Sequence, residues 1–174
     1  MKKLWWIFAS VIVLLVLFSI YRFNTLNKDV NNKQEEKIYY LGDNIPINDV
    51  ILTVNKVRTQ ELINDEMQPA QTEIAYFIDL TLKNTSNEII DTNLMDYKLN
   101  SGLYYTMQDL TVFKFTNADN NLLNGQIKPN EVQSGELVFL MPEKKFAQYK
   151  DFNLVIPNNT YKGIKYNIII PLQK

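Results

Sequence analysis

The chain contains no cysteine and no histidine among its 174 residues. Without cysteine there can be no disulfide, no thiolate metal site, no cysteine nucleophile and no lipid-modified cysteine. Without histidine there is no Ser-His-Asp catalysis, and the commonest zinc and copper ligand is missing. Any reaction would depend on carboxylate, lysine, tyrosine or serine side chains. We therefore predict no catalytic residue, no cofactor and no metal site, and we expect the protein not to be an enzyme.

An excess of charge of one sign is also missing. The 18 basic and 19 acidic residues leave a formal net charge of −1, and the two signs are scattered in a mixture along the chain. A protein that binds the phosphate backbone presents a basic patch or stripe. We therefore predict no nucleic-acid partner.

The first 23 residues have the features of a membrane anchor. The run from Leu4 to Tyr21 has no charged residue, and as a helix it would be about 27 Å long, close to the ~30 Å hydrocarbon thickness of a bilayer. The predicted flanks are basic or aromatic, as at membrane interfaces: Lys2, Lys3, Trp5, Trp6, Tyr21 and Arg22. Residues 1–23 are thus predicted to be a single transmembrane helix that contacts the lipid bilayer.

Retention and late cleavage of this segment are the two alternatives. A signal peptidase site needs small residues at positions −3 and −1, but with Ser19 at −1, Leu17 would occupy −3. This favours an uncleaved signal-anchor. A short basic N-terminal tip usually stays in the cytoplasm, so we expect a single-pass protein of the cell membrane with its C-terminal domain outside the cytoplasm. Residues 24–37 form a polar linker, and residues 38–174 form the domain.

Residues 38–174 are patterned as an all-β domain. In "AYFIDLTLKNTSNE" Tyr76, Ile78, Leu80 and Leu82 alternate with more polar positions, which is the period-two pattern of a strand with one buried face. Eight other segments are predicted strands: "KIYYL", "DVILTVNKVRT", "MDYKL", "LYYTM", "LTVFKF", "ELVFLM", "FNLVI" and "KYNIIIP". So many short strands favour a mostly antiparallel sandwich. The stretch "VRTQELINDEMQPAQ" is predicted to be a flexible excursion or to contain a helical turn.

Two turns have recognisable chemistry. Asn100, Ser101 and Gly102 suit a short hairpin between "MDYKL" and "LYYTM", and Pro129 followed by Asn130 suits a tight turn with a positive φ.

The order of these features resembles the DUF4352 family of immunoglobulin-like extracytoplasmic domains of Gram-positive bacteria. The matching stretches are "YYLGDNIPINDVILTVNKV", "AYFIDLTLKNTSNE", "YKLNSGLYY", "IKPNEVQSGELVFLMP" and "FNLVI". Asn130 stands where the family often has glycine, and the lipid-modified cysteine of many relatives is missing. The resemblance implies an immunoglobulin-like antiparallel β-sandwich on the outer side of a membrane, and it implies no particular activity.

Several groups of polar or aromatic residues are possible ligand sites, and a structural role is favoured for each. The possible calcium ligands are Asp43, Asn44 and the run Asn117–Asn121, which are more typical of turns. The possible aromatic platform is Tyr39, Tyr40, Tyr104 and Tyr105, of which alternation along a strand exposes one ring of each pair. The possible acid–base carboxylates are Asp79, Glu88, Asp91 and Asp96, and the possible copper ligands are Met67, Met95, Met107 and Met141.

The leading functional hypothesis is a non-catalytic module that binds either an envelope protein or a small ligand in a groove between strands. The alternatives are an envelope protein of immunity or stress protection and an unrecognised hydrolase.

Overall fold

The computed structural model describes Trp5 and residues 12–23, 35–64, 71–118, 125–161 and 164–172. The chain divides into two compact units, Met1–Gln34 and Glu35–Lys174. Elements are numbered along the chain.

In the first unit, residues 12–23 form helix α1, and Trp5 is also helical. Within the described part of the chain, no helix has both the length and the apolar character that crossing a bilayer requires. Of the predicted anchor flanks, Trp5, Tyr21 and Arg22 are described and exposed. Lys2, Lys3 and Trp6 lie outside the described residues, as do positions 24–34 of the predicted linker.

The second unit contains eleven strands within its described residues. They are β1 Glu35–Ile38, β2 Ile45–Ile47, β3 Val50–Asn64, β4 Gln71–Asn84, β5 Ile90–Asp91, β6 Lys98–Ser101, β7 Tyr104–Met107, β8 Gln126–Ile127, β9 Val132–Pro142, β10 Phe152–Tyr161 and β11 Ile164–Leu172. A 3₁₀ turn spans Leu94–Asp96, and two short helices follow: α2 Leu110–Thr116 and α3 Glu143–Gln148. Strand β1 thus begins inside the predicted linker, at Glu35.

These strands form two main sheets and one small ribbon. The four-stranded sheet has the order β2-β3-β4-β9, the five-stranded sheet β1-β11-β10-β6-β7, and β5 pairs with β8 in the ribbon. Pairing is antiparallel except between β1 and β11, which are parallel. At one side β7 meets β9 through a bridge between Gln108 and Phe139 and a 3.0 Å hydrogen bond from the Thr106 hydroxyl to the Leu140 carbonyl.

The main core lies between the two sheets. The four-stranded sheet contributes residues such as Leu52, Ile78 and Leu137, and the five-stranded sheet contributes Leu154 and Ile168, all fully buried. The inward positions of β4 are those that the alternation predicts, because Tyr76, Ile78, Leu80 and Leu82 are all at most 1% exposed. The predicted β-sandwich is therefore confirmed at the level of its layers.

A second, smaller apolar cluster covers part of the outer face of the four-stranded sheet. Ala75, Phe77 and Val138 are buried there against Leu62, Val112 and Leu140. The Arg58 guanidinium lies 3.6 Å from the Phe77 ring centroid and makes two hydrogen bonds to the Glu136 carboxylate. Phe77 is therefore buried although it lies on the predicted solvent face.

The prediction of a strand at "LTVFKF" is wrong, because this segment is helix α2. The Asp109 carboxylate accepts a 2.8 Å hydrogen bond from the Val112 N–H and caps the helix. Val112 packs on the outer cluster while Phe113 enters the main core. A short apolar run fits either structure, and here the N-terminal cap favours the helix.

The expected excursion at "VRTQELINDEMQPAQ" is also wrong where the structure describes it. Val57–Asn64 continue β3, and Gln71 starts β4, with pairing out to Asn64–Gln71. A bulge at Asn55, between Val54 and Lys56, shifts the register. Its side-chain amide donates hydrogen bonds to Asp79 and Thr81 on the neighbouring strand. The bulge shifts the alternation of buried positions by one residue, so the pattern before Val54 does not continue in register through the rest of β3.

The predicted turn at Pro129 and Asn130 is confirmed, and the predicted hairpin is present, although Asn100 and Ser101 belong to β6 rather than to its loop. Gly102, with φ +58°, and Leu103 form the two-residue loop of the β6–β7 hairpin, in which Ser101 pairs with Tyr104. Asn130 has φ +59°, and the Glu131 N–H donates a 3.0 Å hydrogen bond to the Lys128 carbonyl across the turn.

Candidate functional site

A cleft of about 470 Å³ lies in the β-sandwich unit. It is bounded by the β2–β3 turn, strand β5, the 3₁₀ turn and the irregular part of β10. Its apolar lining consists of Ile47, Val50, Leu82, Ile90, Ile156 and Pro157, and its polar lining of Asn48, Asp49, Asp91, Thr92, Asn93, Asp96, Tyr97 and Asn159. The volume is within the range of small-molecule sites.

One wall is the two-residue turn between β2 and β3. Asn48 has φ +52°, a conformation that asparagine tolerates better than most residues. The next residue, Asp49, holds this turn to the β4 end, since its carbonyl accepts 2.8 and 2.9 Å hydrogen bonds from the Thr85 N–H and hydroxyl. The Asp49 backbone is thus fixed while its side chain stays exposed at the cleft.

A second wall is the 3₁₀ turn that carries Asp96 and delivers Tyr97. Asn93 caps the turn, because its side-chain oxygen accepts a 3.1 Å hydrogen bond from the Met95 N–H. The Asn93 side-chain amide also donates to the Asp96 carboxylate at 2.8 Å. The cap orients Asp96, and Tyr97 leaves the turn in an extended conformation.

Tyr97 is the most unusual polar group of the cleft. Its side chain is only 7% exposed, and its hydroxyl has no hydrogen-bond partner among the described residues. Unlike the Tyr76 hydroxyl, it is not enclosed, so the cleft provides its access to solvent. Burial raises the pKa of Tyr97 well above its ordinary value of 10, because the charged form is poorly solvated there. At neutral pH Tyr97 therefore offers a neutral hydroxyl that can donate or accept a hydrogen bond.

The third wall is an irregularity in β10. The pairing of β10 with β11 is interrupted between Ile156 and Asn159, and Pro157 lies in this interval. The Asn159 side-chain amide donates a 2.8 Å hydrogen bond to the Ile156 carbonyl, which closes the irregular segment locally. Bulges often redirect side chains next to binding sites, and this one places Pro157 and Asn159 at the cleft.

Hydrogen bonds made by Thr92 and Asn84 hold the β5–β8 ribbon beside the cleft. The Thr92 N–H and hydroxyl both donate to the Gly125 carbonyl, at 2.6 and 3.1 Å. The Asn84 amide, at the end of β4, donates to the carbonyls of Glu88 and Ile127 at 2.7 and 3.0 Å. Asn84 thus connects the four-stranded sheet to both strands of the ribbon, through the residues before β5 and through β8. Strand β5 and the residue after it supply Ile90, Asp91 and Thr92 to the cleft.

The cleft is acidic. Three aspartates line it, and none of its lining residues, all of which are described, is basic. The Asp49 and Asp91 carboxylates have no hydrogen-bond or ion-pair partner in the described part of the chain. No group of three or more acidic side chains within the described ranges is arranged to hold a metal ion. The site can therefore attract positive charge without offering a metal a ready ligand set.

The four possible acid–base carboxylates do not all lie together in the structure. Asp91 and Asp96 both line the cleft, whereas Asp79 accepts a 3.0 Å hydrogen bond from the Asn55 amide elsewhere on β4. Glu88 is exposed, and its backbone carbonyl serves the Asn84 amide.

The described calcium candidates have partners within the protein. The Asp43 carboxylate accepts from the Tyr40 N–H at 2.8 Å, and the Asn44 side-chain oxygen accepts from the Thr53 hydroxyl at 3.1 Å. Asn117 is buried and bonds the backbone of Glu136. Positions 119–121 of this run lie outside the described residues.

The four tyrosines do not form one platform. Tyr39 and Tyr104 are partly buried against the core, while Tyr40 and Tyr105 are exposed, as the alternation predicts. Tyr105 is on β7 and Tyr40 follows β1, at opposite edges of the five-stranded sheet. Four strand spacings, roughly 19 Å, separate those edges.

The methionines do not suggest a copper site. Met141 is fully buried, and Met95 and Met107 are exposed. Met67 lies outside the described residues.

Sequence reasoning missed Asp49, Tyr97 and Asn159. Each belongs to a different strand or turn, and their proximity depends on the sandwich closing. The only local signal is the pair Asn48-Asp49, a typical turn sequence at the start of the predicted strand "DVILTVNKVRT".

The family with the description "domain of unknown function (DUF4352)" matches residues 39–164. The chain belongs to the DUF4352 family. Its membership confirms the resemblance seen in the sequence, and the family description assigns no activity. A comparison of this DUF4352 chain with curated proteins gives no match.

Solved structures share the fold of this DUF4352 chain at low sequence identity. A functionally unknown protein from Listeria monocytogenes EGD-e is 14% identical with a TM-score of 0.59, over 74% of this chain and 80% of that one. An uncharacterized beta-sandwich protein from Clostridium difficile 630 is 14% identical with a TM-score of 0.54, over 81% and 97%. The yjhA protein from Bacillus subtilis is 15% identical with a TM-score of 0.53, over 78% and 99%. These similarities support the sandwich fold alone.

Proposed function

We propose that this DUF4352 chain is a membrane-tethered, immunoglobulin-like binding module that holds a small polar ligand in the cleft beside the β5–β8 ribbon. It would act by binding rather than by catalysis. The observation that carries the proposal is Tyr97, whose side chain is 7% exposed and whose hydroxyl faces the cleft without a hydrogen-bond partner among the described residues. A ligand in the cleft would take the place of water at this hydroxyl and form the hydrogen bond that no protein group makes.

The lining of the cleft supports a small ligand over a protein partner. Its floor is apolar, with buried Val50, Leu82 and Ile156, while polar groups converge from three separate elements. An apolar pocket with a few placed polar groups is the usual form of a small-molecule site. A protein partner would need a wider surface, because stable interfaces bury roughly 800 Å² on each side.

The chemistry of the cleft favours binding over catalysis. The chain has neither histidine nor cysteine, so the common general base and the common thiol nucleophile are missing. The Tyr97 hydroxyl is neutral at neutral pH, because its pKa is ordinarily 10 and burial raises it further, and in this form it can hydrogen-bond a ligand but is a weak base.

The apolar segment Leu4–Tyr21 supports the tether. We propose that it anchors the protein in the cell membrane and leaves residues 38–174 outside the cytoplasm. Alkaline extraction of membranes should leave the chain in the pellet, and protease added to intact cells should digest the β-sandwich. Release by alkali, or protection of the sandwich until cells are lysed, would contradict this arrangement.

Ligand binding is tested by NMR on the isotope-labelled full chain in detergent micelles. A mixture of cationic, neutral and anionic small molecules is added at millimolar concentration. We expect at least one compound to shift the backbone resonances of Thr92, Tyr97 and Asn159 together. Tyr97→Phe should weaken that compound's binding, while Tyr105→Phe, which changes an exposed tyrosine outside the cleft, should not. If no compound of any charge shifts the cleft resonances, the binding proposal is wrong.

A further inference from the structure

The distribution of charge and apolar surface in the cleft specifies the chemical class of its ligand. We infer that the cleft binds a small organic cation, an alkyl diammonium whose methylene chain lies on the apolar floor and whose ammonium groups meet the acidic rim. This inference deepens the binding proposal and rests on it. It concerns the charge of the ligand, whereas the proposal above concerns only whether the cleft binds.

The rim is the reason for the positive charge. Asp49 comes from the β2–β3 turn and Asp91 from β5, so the two carboxylates approach the cleft from different elements. Neither has a partner in the described residues, and no lysine or arginine is among the lining side chains, all of them described. An anionic ligand would meet only like charge there. A cation gains from both carboxylates, each by the modest amount expected of an exposed charge pair.

The interior is the reason for an organic cation rather than a metal ion. No acidic group of three within the described ranges could hold a metal, and the Asp96 carboxylate already accepts a hydrogen bond from Asn93. The same cleft is lined by Ile90, Val50 and four other apolar residues. A bare ion would leave this apolar surface in water, while a methylene chain would cover it at a gain of roughly 25 cal/mol per Å².

The Tyr97 hydroxyl completes the match. Its oxygen can accept a hydrogen bond from an ammonium N–H, which satisfies the group that the protein leaves unpaired. The same ligand would therefore pack on the apolar floor, pair with the acidic rim and hydrogen-bond the Tyr97 hydroxyl. The neutral diol of the same length would use the floor and the hydroxyl but gain nothing from the rim.

The experiment compares two probes of equal length, 1,5-diaminopentane and 1,5-pentanediol, on the full chain in detergent micelles. Binding is followed by NMR titration at near-neutral pH and low salt. Asp49→Asn and Asp91→Asn each remove one rim charge with almost no change in volume. Asp151→Asn is the matched control, because Asp151 is exposed and does not line the cleft.

We expect the diamine to bind at least about tenfold more tightly than the diol. Each rim substitution should weaken the diamine about threefold to tenfold, as expected for one partly exposed charge pair, and Asp151→Asn should leave it unchanged. Added salt should weaken the diamine and leave the diol unaffected.

Any of four results would overturn the inference. If the diol binds as tightly as the diamine, or if the Asp49 and Asp91 variants bind the diamine like the control, the acidic rim does not select the ligand. If the diamine fails to bind while another compound of the mixture shifts the cleft resonances, the inference fails and the binding proposal stands. If neither the probes nor the mixture shift them, both fail.

Discussion

Replacing Tyr76 by phenylalanine should stabilise the β-sandwich. Tyr76 is 1% exposed, and its hydroxyl is fully enclosed without a hydrogen-bond partner among the described residues. Its ring packs against Phe152 and Phe146, with centroids 5.2 and 6.0 Å away. Tyr76→Phe keeps these ring contacts and removes the unpaired hydroxyl. An unsatisfied buried polar group costs about 1–3 kcal/mol, so we expect the free energy of unfolding to rise by about 1 kcal/mol at pH 8.

The stabilisation should grow at alkaline pH. Burial raises the pKa of Tyr76 to about 12 from an ordinary value of 10. The folded state thus disfavours the phenolate. Ionisation of this group therefore leaves the free energy of unfolding unchanged below pH 10 and lowers it as the pH rises from 10 towards 12. At pH 11 the loss for the wild type is about 1 kcal/mol, and Tyr76→Phe escapes it. The difference between variant and wild type should therefore be about 2 kcal/mol at pH 11. Burial also raises the pKa values of Tyr97 and Tyr104, so both proteins should still lose stability there.

Urea titration of the full chain measures this difference. Both tryptophans, Trp5 and Trp6, lie in the N-terminal segment, so unfolding of the sandwich is followed by far-UV circular dichroism rather than tryptophan fluorescence. Tyr105→Phe, at an exposed position, is the control and should change neither value. A Tyr76→Phe variant less stable than wild type by 1 kcal/mol or more at pH 8 would refute the reasoning, since it would show that the hydroxyl contributes a favourable interaction.

Three further substitutions test contacts and turns that hold the sandwich together. Asn84→Ala removes a fully buried amide that makes four hydrogen bonds. Urea titration should show a free energy of unfolding lower by about 3 kcal/mol. A loss no larger than that of Asn87→Ala, at an exposed position, would contradict this. Asn130→Gly should raise the melting temperature slightly, because φ is +59° there and glycine adopts that conformation at less cost, whereas Asn130→Ala should lower it; equal melting temperatures would rule out backbone strain. Arg58→Lys should cost about 0.5–1 kcal/mol, since lysine cannot make the paired hydrogen bonds to Glu136, and a cost unaffected by high salt would argue against an ionic origin.

The sandwich was predictable because strand β4 carries a clear period-two pattern of apolar residues. The alternation from Tyr76 to Leu82 identifies a strand with one face in the core, and the structure buries those side chains. Gly102 and Asn130 mark turns through backbone conformations that few other residues adopt readily. These are local properties, and each is visible within about ten residues.

The errors in the fold arose where tertiary contacts or a single cap decide the outcome. Asp109 caps α2 and turns an apolar run into a helix, while the Asn55 bulge hides the continuation of β3 beyond Val57. The two-residue strands β5 and β8 are too short for any periodicity. They exist because Asn84 and Gly125 place their backbones together.

The candidate site was still less predictable, because no segment contains it. Asp91 and Asp96 were noticed as carboxylates, but their relation to Asp49 depends on the β2–β3 turn meeting the end of β4. Tyr97 reads in the sequence as one more aromatic residue of a strand. Its unpaired hydroxyl is a property of the packed sandwich.

The stable and the adaptable parts of this DUF4352 domain are therefore separate. The long pairings of β3, β4 and β9 form a rigid frame with extended hydrogen-bond ladders, whereas the cleft is built from turns, a 3₁₀ segment, an interrupted strand and a ribbon of two residue pairs. Substitutions in such connections change a binding site at little cost to the core. Asn84 is the exception, since it belongs to the frame through β4 and to the cleft through the ribbon. The segment "NTSNE" thus has a structural role, because its first residue joins the end of β4 to the ribbon that lines the cleft.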